Sequence, residues 1–390
     1  MQILVIIAVY TILYIYSISQ INHWLKTISK RLLPRFIADT ILIVLGLMPV
    51  GAAFIGKGSL RNALETNGNL WFGYLVYLTG FLLVFNVLRF ILWVTNHNKK
   101  ERTHEAPWLG STVLCVCVLL SLSLNVFGHV NSHKVRTAKY NVTVAKKTTT
   151  SGKLKIVLLS DLQLGANTYV QQLRAMVREV NKQKPDTVLI AGNTFNSNYS
   201  ALKEPETYIE ILKQIKAKQG VYAVYGNRDA EQTLFAGFAM TADIPKPNRE
   251  KVTKFMKSAG IQVLDDMTIY INGVQIVGRK DSEHTTYDKP MSASSLISPL
   301  DTHMPILVLQ SKPGDFKALQ ACGVDLALSG RTRNGQYFPF NIIESLRYEN
   351  SYGLKSIHNV YSVVTSGIGS SGAPIRIGTQ SEIAVINLQY

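Results

Sequence analysis

Four nearly uncharged apolar runs crowd the first third of this chain, at Ile3–Ser19, Ile37–Gly56, Trp71–Thr95 and Gly110–Gly128. A bilayer is crossed by about 20 residues of helix. Inside hydrocarbon the backbone has no water to bond, so such runs must close their hydrogen bonds as helices. Residues 1–135 are therefore expected to form a transmembrane region of four helices. Composition agrees, because 47% apolar and only 17% charged residues is a membrane-protein balance rather than a soluble one. The first run lacks a basic segment before it and carries its Lys and Arg after it, which reads as a signal anchor rather than a cleaved leader. Arg89, late in the third run, fits a side chain that snorkels to the interface.

Orientation follows from the short loops. The first carries Lys26, Lys30, Arg31 and Arg35 and the third Lys99, Lys100 and Arg102, whereas the second has Lys57 and Arg61. Cationic loops stay in the cytoplasm, so an even number of crossings delivers the C-terminal part outside. Lys134, Arg136 and Lys139 oppose that arrangement, but long domains translocate largely regardless of charge. The formal net charge is +16, shared as +7 in residues 1–135 and +9 in the rest. With no nucleic-acid motif and no basic run interleaved with aromatics, anionic membrane is the expected partner and nucleic acid is not. Cys115, Cys117 and Cys322 are too few and too scattered for a disulfide framework or a thiolate metal site.

A linker is expected over 136–152, and beyond it the periodicity changes. "LKIVLLSD", "DTVLIAGN", "GVYAVYGN", "IQVLDD", "VQIVGRKD", "PILVLQS", "VDLALSG" and "VYSVVTSG" read as strands ending in polar residues or glycine. "YVQQLRAMVREVNKQ" and "TYIEILKQIKAK" have the apolar spacing of helices. Alternating strands and helices make a mostly parallel α/β sheet whose site lies at the carboxyl ends of its strands.

Those ends read "SDLQLG", "AGNTFN", "YGNRDA", "LQSKPGDF" and "LSGRTRNGQ", in that order. The order resembles the blocks of the calcineurin-like metallophosphoesterases: D-x-H, G-D, G-N-H-[DE], a lone His after a late strand, and G-H-x-H. The tail "TSGIGSSGAPIRIGTQSEIAVINL" is similar to the end of the membrane-anchored bacterial type. The resemblance spans about residues 153–388, in a domain expected over 153–390, and implies a two-sheet β-sandwich flanked by helices. In the family these blocks hold two divalent metals such as Mn, Fe or Zn, with Asp and His ligands and an assisting Asn.

Every motif histidine is missing from this chain. Asp161 and Asn227 match the pattern, but the His positions are Gln163, Arg228, Ser311, Arg331 and Arg333, and the bridging Asp position is Asn193. His23, His97, His104, His129, His133, His284, His303 and His358 all lie outside the blocks, without ligand spacing. A dinuclear site needs anionic or imidazole lone pairs to hold its cations and acidify a bridging water. Amides are weak neutral ligands, and a guanidinium offers five donors, no lone pair and a permanent positive charge. The chain therefore reads as a pseudoenzyme that holds no metal or other cofactor: a non-catalytic binding or scaffold subunit at the cell envelope.

Two readings of the arginines stand side by side. In one, Gly165, Gly192, Gly226 and Gly330 preserve the turns, Arg331 or Arg333 pairs with Asp161, and the site is closed by salt bridges. In the other, Arg228, Arg331 and Arg333 replace the metals' charge and grip a phosphate-bearing ligand, such as a lipid headgroup or envelope polymer. Asp229, Asn334 and Gln336 keep the frame of the loops. Against the pseudoenzyme stands an active phosphoesterase using a different or single metal centred on Asp161 and Asn227. A third hypothesis makes the four membrane helices the working part, with the outer domain as a cap; besides an anionic ligand, another envelope protein is an expected partner.

Overall fold

The computed structural model describes residues 2–28, 32–55, 58–96, 107–145, 152–165, 169–197, 199, 202, 204–229, 234–235, 238–239, 246–281 and 290–390. The loop cations Lys30, Arg31, Lys57, Lys99, Lys100 and Arg102, and His97, His104 and His284, lie outside them. The chain divides into two compact units, one comprising Met1–Gly128 with Leu234–Met240 and Gly372–Pro374, the other comprising the remainder.

In the first unit the apolar runs form α1 (Gln2–Ile28), α2 (Leu32–Phe54), α3 (Ser59–Asn96) and α4 (Pro107–Ser132). Among the described residues, three helical segments, Leu32–Phe54, Ser59–Thr95 and Gly110–Ser132, are long and apolar enough to cross a membrane. The expected count of four is thus shown for three. Polar bonds nevertheless tie α1 into the bundle: Ser17 and Thr79 share a hydroxyl hydrogen bond of 2.7 Å, and Asn86 donates to the Tyr16 hydroxyl at 2.7 Å. Helix α3 continues N-terminal to the expected start at Trp71, and at 38 residues it runs about 57 Å. Arg89 is exposed and lies over the Trp24 ring, 5.6 Å from its centroid.

The second unit is a sandwich of two six-stranded sheets. Sheet A has the order β1 (Val135–Thr143), β14 (Ser381–Gln389), β2 (Lys153–Leu159), β3 (Thr187–Ala191), β4 (Val221–Val224) and β7 (Ile261–Val263). Sheet B has the order β12 (Gly353–Ile357), β13 (Val360–Val364), β11 (Leu326–Ser329), β10 (Ile306–Leu309), β9 (Val274–Gly278) and β8 (Met267–Ile271). The strands β2–β3–β4–β7 run parallel, as do β9–β10–β11–β13. A short antiparallel pair, β5 (Leu234–Phe235) and β6 (Phe238–Ala239), is counted with the first unit.

Side-chain alternation sorts the layers. Along β2, Val157 and Leu159 join Val188 and Ile190 against α5 (Val170–Gln183), α6 (Pro205–Leu212) and α7 (Lys246–Ser258). Ile156 and Leu158 point the other way, into a core shared with Ile276, Leu307, Leu309, Leu326 and Leu328 of sheet B. On sheet B's outer side, Val277, Val308 and Ala327 pack with α8 (Ala293–Ile297) and α9 (Phe316–Ala321). Helix α10 (Phe340–Arg347) follows a short 3-10 turn at Arg333–Gly335. Strands β3, β10 and β11 are buried along their whole length, which is why they read as nearly continuous apolar runs in the sequence.

The expected linker is partly structured. Val135–Thr143 forms edge strand β1, in parallel register with β14 from Val135–Ser381 to Thr143–Gln389. An edge strand with a wet outer side needs no unbroken apolar run, and Arg136, Lys139 and Asn141 occupy it here.

Candidate functional site

Five of the parallel strands carry the sequence blocks at their carboxyl ends, which gather along one edge of the sandwich. Asp161 and Gln163 follow β2, Asn193 follows β3, Asn227 and Arg228 follow β4, Ser311 follows β10, and Arg331 and Arg333 follow β11. The edge is crowded enough to demand glycine. A Cβ on Gly330 would collide with the Ser160 side chain and meet Asp161 Oδ2 at 3.2 Å, and one on Gly226 would collide with the Asn193 amide. These close approaches bring the turns after β2, β3, β4 and β11 into one cluster, and Ser311 lies against the turn at Gly192.

At its centre is the fully buried Asp161, ringed by donors. Its Oδ1 accepts from Gln163 Nε2 at 3.1 Å and Asn193 Nδ2 at 3.0 Å, with Arg333 Nη1 at 3.6 Å. Its Oδ2 accepts from Ser160 Oγ at 2.6 Å and the main-chain N–H of Arg331 at 2.7 Å. Asn193 is held from the other side, its Oδ1 accepting the Arg228 N–H at 3.0 Å. The guanidinium of Arg331 goes elsewhere, donating to Asp281 Oδ2 at 2.6 Å within a buried ion pair. Asn227 stands half-buried on the turn that supplies Arg228. The sequence blocks did not include Asp281; the signal available for it was an acid just after a strand end, in "VQIVGRKD".

The backbone here is unusual. Asp161, Gln163, Asn193, Arg331 and Arg333 all have φ between +48° and +71°, the left-handed region that side chains disfavour. Each such residue costs roughly 1–3 kcal/mol and persists only where its surroundings over-determine it. The main-chain bonds Asp161 N–H to Gly192 O (3.1 Å), Gln163 N–H to Asn193 O (3.1 Å) and Gly369 N–H to Asp161 O (2.7 Å) do so.

Electrostatically, three guanidinium groups face two carboxylates, Asp161 and Asp281. Burial, then the charges of Arg333 and Arg331, pull the Arg228 pKa down to about 9, with Asp161 pulling the other way. Arg228 remains a cation at neutral pH, in surroundings where one more anion would be favourable. Arg333 Nε and the Ser311 hydroxyl are buried without a hydrogen-bond partner among the described residues. Beside Ser311 opens a cleft of about 120 Å³, whose lining includes Arg279, Lys280 and Lys312 with Asp281 and Asp315. Asp229 plays a framing part, accepting from the Gly226 and Phe195 N–H groups at 2.8 Å each. Burial pushes its carboxyl up to about 7.

The donor set does not fit a pair of divalent metals. Around Asp161 the neighbours present N–H and O–H groups where ligands would present lone pairs, and the added charges are positive. Among the described residues no three His, Cys, Asp or Glu side chains gather where they could hold a metal ion. His129 and His133 stack edge-on with Tyr169 at the end of α4, and His358 lies 3.5 Å from Glu349.

Comparison with known proteins agrees with the block order. The calcineurin-like phosphoesterase family model matches residues 154–330. A "transmembrane protein with metallophosphoesterase domain" of Danio rerio is 29% identical over 334 residues, 81% of this chain and 72% of its own. A metallophosphoesterase of Helicobacter pylori is 26% identical over 239 residues, which is 60% of this chain and 60% of that relative's length. Among solved structures, a dimetal phosphatase from Danio rerio superposes with TM-score 0.35 at 10% identity, covering 56% of this chain and 89% of that one. Residues 154–330 are therefore a calcineurin-like metallophosphoesterase domain, on a chain whose relatives include transmembrane proteins.

Proposed function

We propose that this protein is a membrane-anchored pseudo-phosphoesterase, which has exchanged catalytic metals for a fixed ring of donors and binds an anionic, phosphate-bearing ligand at the cell envelope. One observation carries this reading: both oxygens of Asp161 are engaged by N–H and O–H groups of residues that stand at, or next to, the family's ligand positions. An anionic ligand is supported by the excess of guanidinium charge and by the unbonded donors Arg333 Nε and Ser311 Oγ. Retention of five left-handed residues supports a site kept for binding rather than one relaxed to ordinary loops. In the same reading α1 is a fourth span, the first and third loops are cytoplasmic and the domain is extracytoplasmic, as the loop cations favour.

The test is a titration of the full chain in lipid nanodiscs with inorganic phosphate, glycerophosphate and sulfate, alongside its metal content. Phosphate and glycerophosphate should bind, sulfate more weakly. Arg228→Gln with Arg333→Gln should weaken binding by roughly a hundredfold, since each charge-assisted contact contributes about 1.5–3 kcal/mol. Absence of binding leaves a closed scaffold. About two equivalents of metal with phosphodiester hydrolysis would instead establish the active enzyme centred on Asp161 and Asn227.

A further inference from the structure

The opposite end of sheet A carries a second concentration of charge, and it is made of lysines. Where α5 ends and β3 begins the chain reads "NKQKPD", and the loop into β4 reads "QIKAKQG". Lys153 and Lys155 open β2. Alternation along that strand puts both on the face that Val157 and Leu159 turn toward the helices, while Leu154 enters the core between the sheets. Seven residues of strand span about 23 Å, and Asp161 follows the far end.

The register of the sheet lays a polar row beside these lysines. Lys155 stands opposite Asn387 of β14, which stands opposite Asn141 of β1. The turn after α5 is pinned to the start of β2. Lys155 N–H donates to Asp186 Oδ2 at 2.8 Å, Asp186 N–H to Lys155 O at 2.9 Å, and Lys155 Nζ to Gln183 O at 3.2 Å. Lys218 comes in from the loop before β4, its Nζ 2.8 Å from Asp186 Oδ1. Strands, turn and loop enclose a groove of about 410 Å³ whose charged lining is Lys153, Lys155, Lys184, Lys218 and Asp186. That volume falls within the range of small-ligand sites, about 300–1,000 Å³.

Charge in the groove is unbalanced. Four ammonium groups face one carboxylate, a net of +3. Both oxygens of that carboxylate are already engaged, by Lys155 N–H and Lys218 Nζ. The ammonium groups of Lys153 and Lys184 meet no acceptor among the described residues. A lysine at a helix C-terminus is ordinary by itself, because it complements the helix dipole. Four lysines on one ligand-sized hollow leave a positive field that its single acid does not cancel.

We infer that this groove is a second binding site, and that it takes a small polyanion bearing two or more linked phosphate groups. Linked phosphates answer several ammonium groups at once, and an ammonium is a point charge that demands no planar geometry from its partner. Asn387 Nδ2 donates to Asn141 Oδ1 at 2.9 Å, so Asn141 keeps its own amide N–H groups to offer a phosphate oxygen. The lining includes no aromatic ring on which a nucleobase could stack, which leaves the phosphates as the recognised part. The groove is separate from the donor ring around Asp161 and binds whether or not that ring holds an anion.

The test is a calorimetric titration of the full chain, in nanodiscs of zwitterionic lipid at physiological salt, with inorganic triphosphate, diphosphate and orthophosphate and no added metal. Triphosphate should bind saturably, and orthophosphate at least about tenfold more weakly. Lys153→Gln with Lys184→Gln, both exposed side chains, should weaken triphosphate binding by about tenfold or more. Lys213→Gln with Lys216→Gln, exposed after α6 and outside the groove, should change it by less than about twofold. The loss caused by the Lys153 and Lys184 changes should be the same in wild type and in an Arg228→Gln, Arg333→Gln background, which removes the ring from the measurement. Absence of triphosphate binding overturns the inference. An equal loss from the Lys213 and Lys216 changes does so too, because binding then follows diffuse surface charge. Triphosphate binding that disappears with Arg228 and Arg333 but survives the loss of Lys153 and Lys184 places the ligand at the ring, and equally sinks the second site.

Discussion

Arg331 binds two different carboxylates with two different parts of itself: its main-chain N–H donates to Asp161 at 2.7 Å, and its guanidinium donates to Asp281 at 2.6 Å. The buried Asp281 is thereby a partner that neutralises Arg331, while the Arg333 guanidinium stands 3.6 Å from Asp161. Breaking a buried pair from one side strands a charge, at about 3–5 kcal/mol. Asp281→Asn should therefore speed hydrogen exchange of the slowest amides of β9, β10 and β11 by about two orders of magnitude or more in the full chain. Exchange within a few-fold of wild type would show that Arg331 finds other compensation.

The central parallel strands β3, β10 and β11 were legible because each is buried along its whole length and so must be a nearly unbroken apolar run closed by glycine or a polar residue. Strands β1, β8 and β12 were not, because each is an edge strand whose outer side is wet: Lys139, Tyr270 and Lys355 stand where a periodicity argument asks for apolar residues. Within the site, block order identified which loops converge on Asp161. It left open where each arginine points, because Arg331 and Arg333 are two residues apart on one turn and only the left-handed backbone there decides their directions. Asp281 belonged to no block, and Arg376 looked like one more cation in a glycine-rich tail.

Arg376 makes the second prediction. It is fully buried, and the carbonyl oxygens of Ser366, Gly369 and Gln380 accept from its guanidinium. Lysine cannot present the same planar fork. Arg376→Lys should therefore loosen residues 366–381, and the last turn of α4 that bonds to them, more than it disturbs β9 and β10. Peptide-resolved hydrogen exchange measures this directly. Uniform acceleration across both sheets would mean that Arg376 supports the whole fold rather than this loop.

Stability should also carry a pH signature from Asp229. Burial lifts its folded pKa to about 7 from an ordinary carboxylate value of 3.8, so between those limits the folded state holds a proton that the unfolded state has released. Its contribution to stability is greatest below pH 4, declines as pH rises toward 7 and is flat above that. Thermal unfolding of the domain in nanodiscs, followed from pH 4.5 to 8, should show this decline. Asp229→Asn should flatten it, even though the amide offers only one acceptor oxygen to the two N–H groups. An equal slope in the variant would assign the pH dependence to other groups.

Restoring the family's ligand types should test whether the loop frame around Asp161 can hold metal. Asp161, Gln163, Asn193, Arg331 and Arg333 still hold the left-handed conformations of their turns, and the glycines at 226 and 330 still permit the close approach of the loops. What differs from the family's pattern is the set of side chains on that frame. Gln163→His, Asn193→Asp, Arg228→His, Ser311→His, Arg331→His and Arg333→His together would restore imidazole and carboxylate lone pairs and remove three positive charges from around Asp161. Asp281 would lose its partner, so the variant should carry Asp281→Asn as well, to avoid stranding a buried charge. A metal that binds only the folded state raises its stability. The melting temperature of the restored variant should therefore rise with manganese or zinc and fall with chelator, while that of wild type moves with neither. Slow hydrolysis of an aryl phosphodiester should accompany the metal. If the variant folds and takes up no metal, the loops have drifted from ligand geometry and the frame is not intact. If wild type itself melts lower with chelator, metal is already part of the native protein and the donor ring around Asp161 has been misread.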